Sequence, residues 1–287
     1  KEIFILPSCN HYSEYSGLRN EMLIKYGTPI SLKPYYELYK TKPRTAQREV
    51  NTLVREQINS LMLNIQDTEN YDAIDAVRQG EYGIIYAKNQ NLDPTQLPQK
   101  LVADKKLVAA LDAAKESNPA AVQSVYDSAR EIYGDLKKEG IDESALTQTP
   151  GVGNLLVQIA VVAFLFPLAV FSLWPALPAW FIPKYFSDKA EDKMFHGTFL
   201  IALNALFIFP VFGLLTFFVT WVKTSLLAGL IYVALFPALC LFEWAYVGWI
   251  KDIIHGFNAI RAEKSGVLGR LRDSRKQLFR DIDNIVK

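Results

Sequence analysis

Charge is what three long runs in the second half of this chain lack. No Asp, Glu, Lys or Arg lies between Gly153 and Lys184 or between Thr198 and Val222, and Glu243 stands alone between Thr224 and Ile250. About 20 apolar residues of helix cross a bilayer core about 30 Å thick, so runs of this length point to lipid rather than to a solvated surface. Cysteine is scarce as well. Cys9 and Cys240 stand far apart, the second inside an apolar run, which excludes a disulfide framework or a cysteine metal set and suits a reducing compartment around the soluble part. The formal net charge is +1, so no strongly basic groove for nucleic acid is expected. Neither an initiator Met nor a signal segment opens the chain; Lys1 to Pro7 is a strand-like run at once. A free end beside a buried strand is a poor natural terminus, so the sequence reads as the C-terminal piece of a longer protein.

What is present is a membrane block over 151–250. Residues 198–222 and 225–250 each make a full span, and only Lys223 and Thr224 separate them, so the two run antiparallel as a tight hairpin. Residues 155–183 are harder. Pro167, Pro175, Pro178 and Pro183 oppose one straight helix, leaving either a crossing by Leu155–Leu173 or a broken, re-entrant hairpin that bends near Trp174–Pro178. All five tryptophans, Trp174, Trp180, Trp221, Trp244 and Trp249, fall in this block, as interfacial anchors would. The tail 251–287 carries nine Lys and Arg against five Asp and Glu, and the loop 184–193 adds three lysines. Basic residues near span ends mark the cytoplasmic face. The loop and tail are therefore expected in the cytoplasm of a multi-pass cell-membrane protein. A cytoplasmic soluble part then favours re-entrance for 155–183.

Ahead of the block, Ile3 to Pro7 reads as a short buried strand, Ser8 to Asn20 as a polar loop, Glu21 to Tyr26 as a second strand, and Ile30 to Leu32 as extended. From Thr45 the period becomes helical: Val50, Leu53, Val54, Ile58, Leu61, Met62 and Ile65 form one apolar stripe. Tyr71, Ile74 and Val77 suggest a short helix closed by Gly80. Asp93-Pro94 and Asn118-Pro119 each start another, with a capping side chain followed by proline in the first turn. Past Ile250, apolar residues such as Leu268, Leu271, Leu278 and Ile282 interleave with basic ones, as in amphipathic helices lying on an anionic leaflet; docking on the soluble part is the alternative.

Ile3-x-Ile5-Leu6-Pro7, Tyr12, Tyr15, Arg19 and Gly27-x-Pro29-Ile30 resemble the fourth motif and following strand of the glycerophosphate and lysophospholipid acyltransferase superfamily. The resemblance covers roughly the first 30 residues and departs from the family at Ser8. It implies that the chain continues an α/β acyltransferase domain lying upstream. The implied activity moves an acyl chain from an acyl thioester, acyl-CoA or acyl-carrier protein as co-substrate, to glycerol phosphate or a lysophospholipid. No catalytic residue is expected in this chain. The family's His-x4-Asp pair is missing, since the position five after His11 is Ser16, and Glu139-Gly140 continues with Ile141-Asp142 instead of the family's phosphate element. His11 reads as a loop histidine. Arg19 is the candidate for clamping an anionic substrate, and Tyr12 and Tyr15 for lining a headgroup or acyl cleft; a solvated Arg and half-buried packing are the bland alternatives. No cofactor and no metal site are expected.

These expectations assemble into an α/β edge of short strands (1–43), a helical appendage (44–150), a membrane anchor made of a re-entrant or broken segment and a two-span hairpin (151–250), and a basic amphipathic cytoplasmic tail (251–287). Membrane lipids and an acyl thioester are the expected partners. A non-enzymatic membrane scaffold is the rival function. A transporter fits less well, for two or three spans with one carboxylate and no inverted repeat.

Overall fold

The computed structural model describes residues 1–13, 21–190 and 194–286, with the backbone alone for 194–196. Strands β1 (Phe4–Ile5), β2 (Ser8–Tyr12), β3 (Met22–Tyr26) and β4 (Ile30–Ser31) come first. Helices follow: α1 (Tyr36–Thr41), α2 (Pro43–Leu61), α3 (Tyr71–Gln79), α4 (Glu81–Asn89), α5 (Leu97–Ser117), α6 (Pro119–Glu139), α7 (Ser144–Thr147), α8 (Val152–Ser187), α9 (Met194–Leu203), α10 (Phe209–Lys223), α11 (Leu226–Lys264) and α12 (Val267–Val286). The chain divides into two units. The first comprises Lys1–Glu14, Arg19–Asp135 and Asp273–Lys287, and the second is built chiefly from Leu136–Arg272.

In the first unit the strands form an interrupted antiparallel hairpin. Phe4 stands opposite Ser31, Ser8 opposite Tyr26 and Tyr12 opposite Met22. Pro7 interrupts one side, and the Gly27 N–H donates to its carbonyl at 2.8 Å. Two expectations are corrected. Ser8–Tyr12 is strand rather than loop, because its residues alternate between a half-buried and an exposed face opposite Met22–Tyr26. The opening strand is not buried: Phe4 is 55 % exposed, and Ile3 and Leu6 are similarly open.

The helices of this unit supply the core. Ile74 and Val77 of α3, read from the sequence as a helix, are almost wholly buried, as are Leu101, Leu107 and Leu111 of α5 and Val122 and Tyr126 of α6, each set recurring at helical spacing. Asn118 caps α6 as expected, accepting from the Ala121 N–H at 3.2 Å. Asp93 instead caps a turn, accepting from the Thr95 N–H at 2.9 Å, and α5 begins later, at Leu97. Helix α4 carries no clear apolar period, so its local sequence does not announce it. Arg130 bridges α6 to α3 through Asp72 at 3.1 Å and the Glu69 carbonyl at 2.8 Å.

The tail corrects another expectation. Leu278 and Ile282 are buried in this unit, Phe279 packs edge-on against Tyr82 at 5.3 Å, and the Tyr82 hydroxyl donates to Asp283 at 2.9 Å. The apolar stripe of α12 is thus consumed by protein contacts and is not presented to a leaflet, while Ile254 and Phe257 near the end of the preceding helix stay about half exposed.

In the second unit three segments are long and apolar enough to cross a membrane: Val152–Ser187, Gly197–Lys223 and Leu226–Lys264. Only 17, 11 and 22 % of their most apolar windows is covered by protein, which a water-soluble core would not tolerate. All five tryptophans are at least 40 % exposed. Helix α8 remains helical through all four prolines, so its helical backbone is not interrupted at Trp174–Pro178, where the re-entrant alternative places the bend. Each proline removes one backbone bond while its neighbours keep theirs. Helix α11 outruns the expected span and ends at Lys264. Gly140, at φ +62°, closes α6 in the left-handed region. Its carbonyl accepts from Asn258 at 3.1 Å, and the same amide sits 2.9 Å from where a Cβ would lie.

Candidate functional site

In the first unit, alternation along β2 turns His11 inward while Asn10 and Tyr12 face out. His11, Ser13 and Glu21 border a cavity of about 260 Å³ whose other wall holds Arg78 at the end of α3 and Lys100 and Asp104 on α5. Asp104 is 2 % exposed and accepts from Arg78 at 3.1 Å and from Lys100. Arg78 also pairs with Asp75, and Lys100 donates to the Arg78 carbonyl at 2.7 Å. The two cations are therefore neutralised within the protein. Burial first, and then the Arg78 guanidinium, lowers the His11 pKa, which keeps the imidazole neutral at pH 7 and able to accept a proton.

The expected substrate residues separate here. Tyr12 lies on the exposed face with Met22, Ile24 and Tyr26, on the side of the hairpin away from the cavity. Tyr15 and Arg19 lie outside the described residues. The ends of their loop are tied at the cavity mouth: the Ser13 N–H donates to the Glu21 carbonyl, and the Glu21 N–H donates to Ser13 Oγ, each at 3.0 Å. Arg78, Lys100 and Asp104 were missed in the sequence. The i, i+4 spacing of Lys100 and Asp104 was a signal for part of the cluster, but nothing local marks Arg78.

Within the apolar unit the polar groups tie helices together. Ser172 Oγ of α8 is 2.7 Å from Glu243 Oε2 of α11 and 3.0 Å from the Ala169 carbonyl, Trp174 Nε1 donates to Thr216 Oγ1 at 3.1 Å, and the Tyr246 hydroxyl donates to the Val162 carbonyl at 3.0 Å. Glu243 is 7 % exposed and held by the Ser172 hydrogen bond, so its carboxyl does not snorkel to headgroups. Asn204 likewise donates to the Leu200 carbonyl at 2.8 Å, where a π turn over Asn204–Ile208 joins α9 to α10.

Farther along α11, Lys251, Asp252 and His255 border a cavity of about 530 Å³ with Asp142 and Gln158. Hydrogen bonds from Ser144, helped by His255 and opposed by burial, hold the Asp142 carboxyl below the usual range. The side chain of His196 lies outside the described residues. Among the described residues, no group of three or more His, Cys, Asp or Glu could hold a metal ion. No family model, no curated protein and no solved structure matches the chain, so its chemistry has to be read from its own residues.

Proposed function

We propose that this chain is the membrane-anchored C-terminal portion of an acyltransferase that moves an acyl chain from an acyl thioester to glycerol phosphate or a lysophospholipid in phospholipid synthesis. The observation that carries it is the hairpin. A two-stranded ribbon is marginal alone, yet Phe4, Met22, Ile24 and Tyr26 stand more than 40 % exposed on it, as they would if a larger catalytic sheet covered them. Apolar helices that can hold such a sheet at a bilayer suit a reaction whose product is a lipid. The neutralised cations around Asp104 favour a second possibility, a membrane scaffold that binds a partner through the same hairpin without chemistry.

The topology we propose has two crossings. Leu155 packs against Gly256, with its Cδ1 3.0 Å from where a Cβ would lie, and Thr149 donates to Glu263 at 3.1 Å, so α8 starts beside the end of α11. Phe217 packs on Gly229, so α10 ends beside the start of α11. Trp174 meets Thr216 at 3.1 Å. From Thr216 back to Met194 is about 33 Å of helix, and from Trp174 on to Ser187 about 20 Å. If α8 ran straight to the far face, Ser187 and Met194 would stand about 50 Å apart, while the chain between them reaches at most about 25 Å. This supports an α8 that dips in and bends back, with Pro175 and Pro178, three positions apart, bending it in nearly one direction. The soluble part, the loop 184–193 and the tail then share one face, and their lysines and arginines favour the cytoplasmic side of the cell membrane.

The test is acyl transfer in membranes from cells making the natural gene product that contains this chain, with radiolabelled acyl-CoA or acyl-carrier protein and glycerol phosphate or lysophosphatidate. Transfer that falls at least about tenfold in Arg19→Ala is expected, the loss of one charge-assisted phosphate contact. Absence of transfer from every thioester donor overturns the acyltransferase and leaves the scaffold.

A further inference from the structure

We propose that the outer face of α2 binds the phosphates of anionic lipid headgroups. Arg44, Arg48 and Arg55 lie within about 40° of one another around the helix axis. All three are exposed, with Gln47, Asn51 and Thr52 completing the surface as further hydrogen-bonding groups. The sequence provides no acidic partner. The positions three and four residues before and after each arginine within the helix hold no Asp or Glu, and Glu49 and Glu56 project about 80° or more away. None of the three arginines makes a salt bridge to a described residue.

The arrangement opposes helix stability. Arg44 and Arg48 are like charges at i, i+4, and Arg44 lies in a first turn that holds no acid and has no side-chain cap, at the positive end of the helix dipole. Five cations elsewhere in the same unit, Arg78, Lys100, Lys115, Arg130 and Arg275, each pair with a carboxylate. An unmatched guanidinium row with fork geometry fits phosphate oxygens. The apolar helices of the same chain tether α2 to a membrane, which raises the local concentration of headgroups far above that of a soluble anion. The proposal rests on membrane insertion and not on the acyltransferase, so it stands if acyl transfer fails.

The experiment uses the whole chain in nanodiscs, with Cys9 and Cys240 replaced by serine and Asn51→Cys as a reporter. The rate of labelling by a charged, water-soluble maleimide is compared in phosphatidylcholine alone and with phosphatidylglycerol added. Anionic lipid should slow labelling about tenfold or more, about 0.5 M salt should restore it, and Arg44→Gln/Arg48→Gln/Arg55→Gln should remove the difference between lipids. The three side chains are exposed and unfavourably placed, so a thermal melt no lower than that of the parent chain verifies that the triple variant is folded. Equal labelling in both lipids overturns the proposal. So does protection that inorganic phosphate or RNA confers in phosphatidylcholine alone, which would assign the row to a soluble anion.

Discussion

Ser172 and Glu243 meet in the apolar unit, Oγ to Oε2 at 2.7 Å, with both side chains buried. One hydroxyl proton is shared between that carboxyl and the Ala169 carbonyl 3.0 Å away. The contact pins α8 to α11 between Pro167 and Pro175. Ser172→Ala should destabilise the unit by about 1–2 kcal/mol, and Glu243→Gln, which keeps a partner for the hydroxyl, by less. Reversible unfolding in mixed detergent micelles gives both values, and a double-mutant cycle isolates the pair.

Asp104 holds two cations, Arg78 and Lys100, in a place that water scarcely reaches. Asp104→Ala leaves Lys100 without a carboxylate and Arg78 with Asp75 alone, and should cost about 3–5 kcal/mol, observed as a lower midpoint in chemical denaturation. Asp104→Asn, which keeps the shape and half of the hydrogen bonding, should cost less.

The end of α12 is core. Leu278→Ala and Ile282→Ala should each cost about 2–5 kcal/mol, and Tyr82→Phe, which loses the bond to Asp283, about 1 kcal/mol. A helix resting on a leaflet would instead lose membrane affinity and leave the thermal melt unchanged.

Stability should fall with acid in two windows. The His11 pKa is lowered in the fold, so the unfolded chain binds that proton more tightly, and stability drops as pH falls through about 6.5. Asp67 is lowered too: burial opposes this, but hydrogen bonds from Lys115 and Asn70 outweigh it. Its contribution is present above about pH 4 and is lost below. In a pH series of melts, His11→Gln should flatten the upper window and Lys115→Met the lower one.

Helical period and the absence of charge made most of the architecture legible. The spacing at Ile74, the helix start at Asn118-Pro119 and the apolar runs are local patterns, and the structure follows them. What remained hidden depends on distant partners. Nothing near Leu278 or Ile282 says whether a protein or a lipid covers them, because either would select the same alternation of apolar and basic residues. The strand at Ser8–Tyr12 was hidden by its polar residues and becomes visible only with Met22–Tyr26 opposite. Arg78 reaches Asp104 across two helices, a pairing without a sequence spacing. The prolines of α8 do not end the helix, because its other backbone groups have few partners on offer besides their own helix, and local sequence left a crossing and a re-entrant bend both open.

The most direct test is sidedness in sealed vesicles, using single cysteines at Gln148, Lys189, Thr224 and Lys264 in a chain with Cys9 and Cys240 replaced by serine. A membrane-impermeant maleimide should reach Gln148, Lys189 and Lys264 from one face and Thr224 only from the other, and the protein should resist extraction by carbonate. Labelling of Lys189 from the face opposite Gln148 would contradict a bent-back α8, and release into water without detergent would contradict the membrane anchor itself.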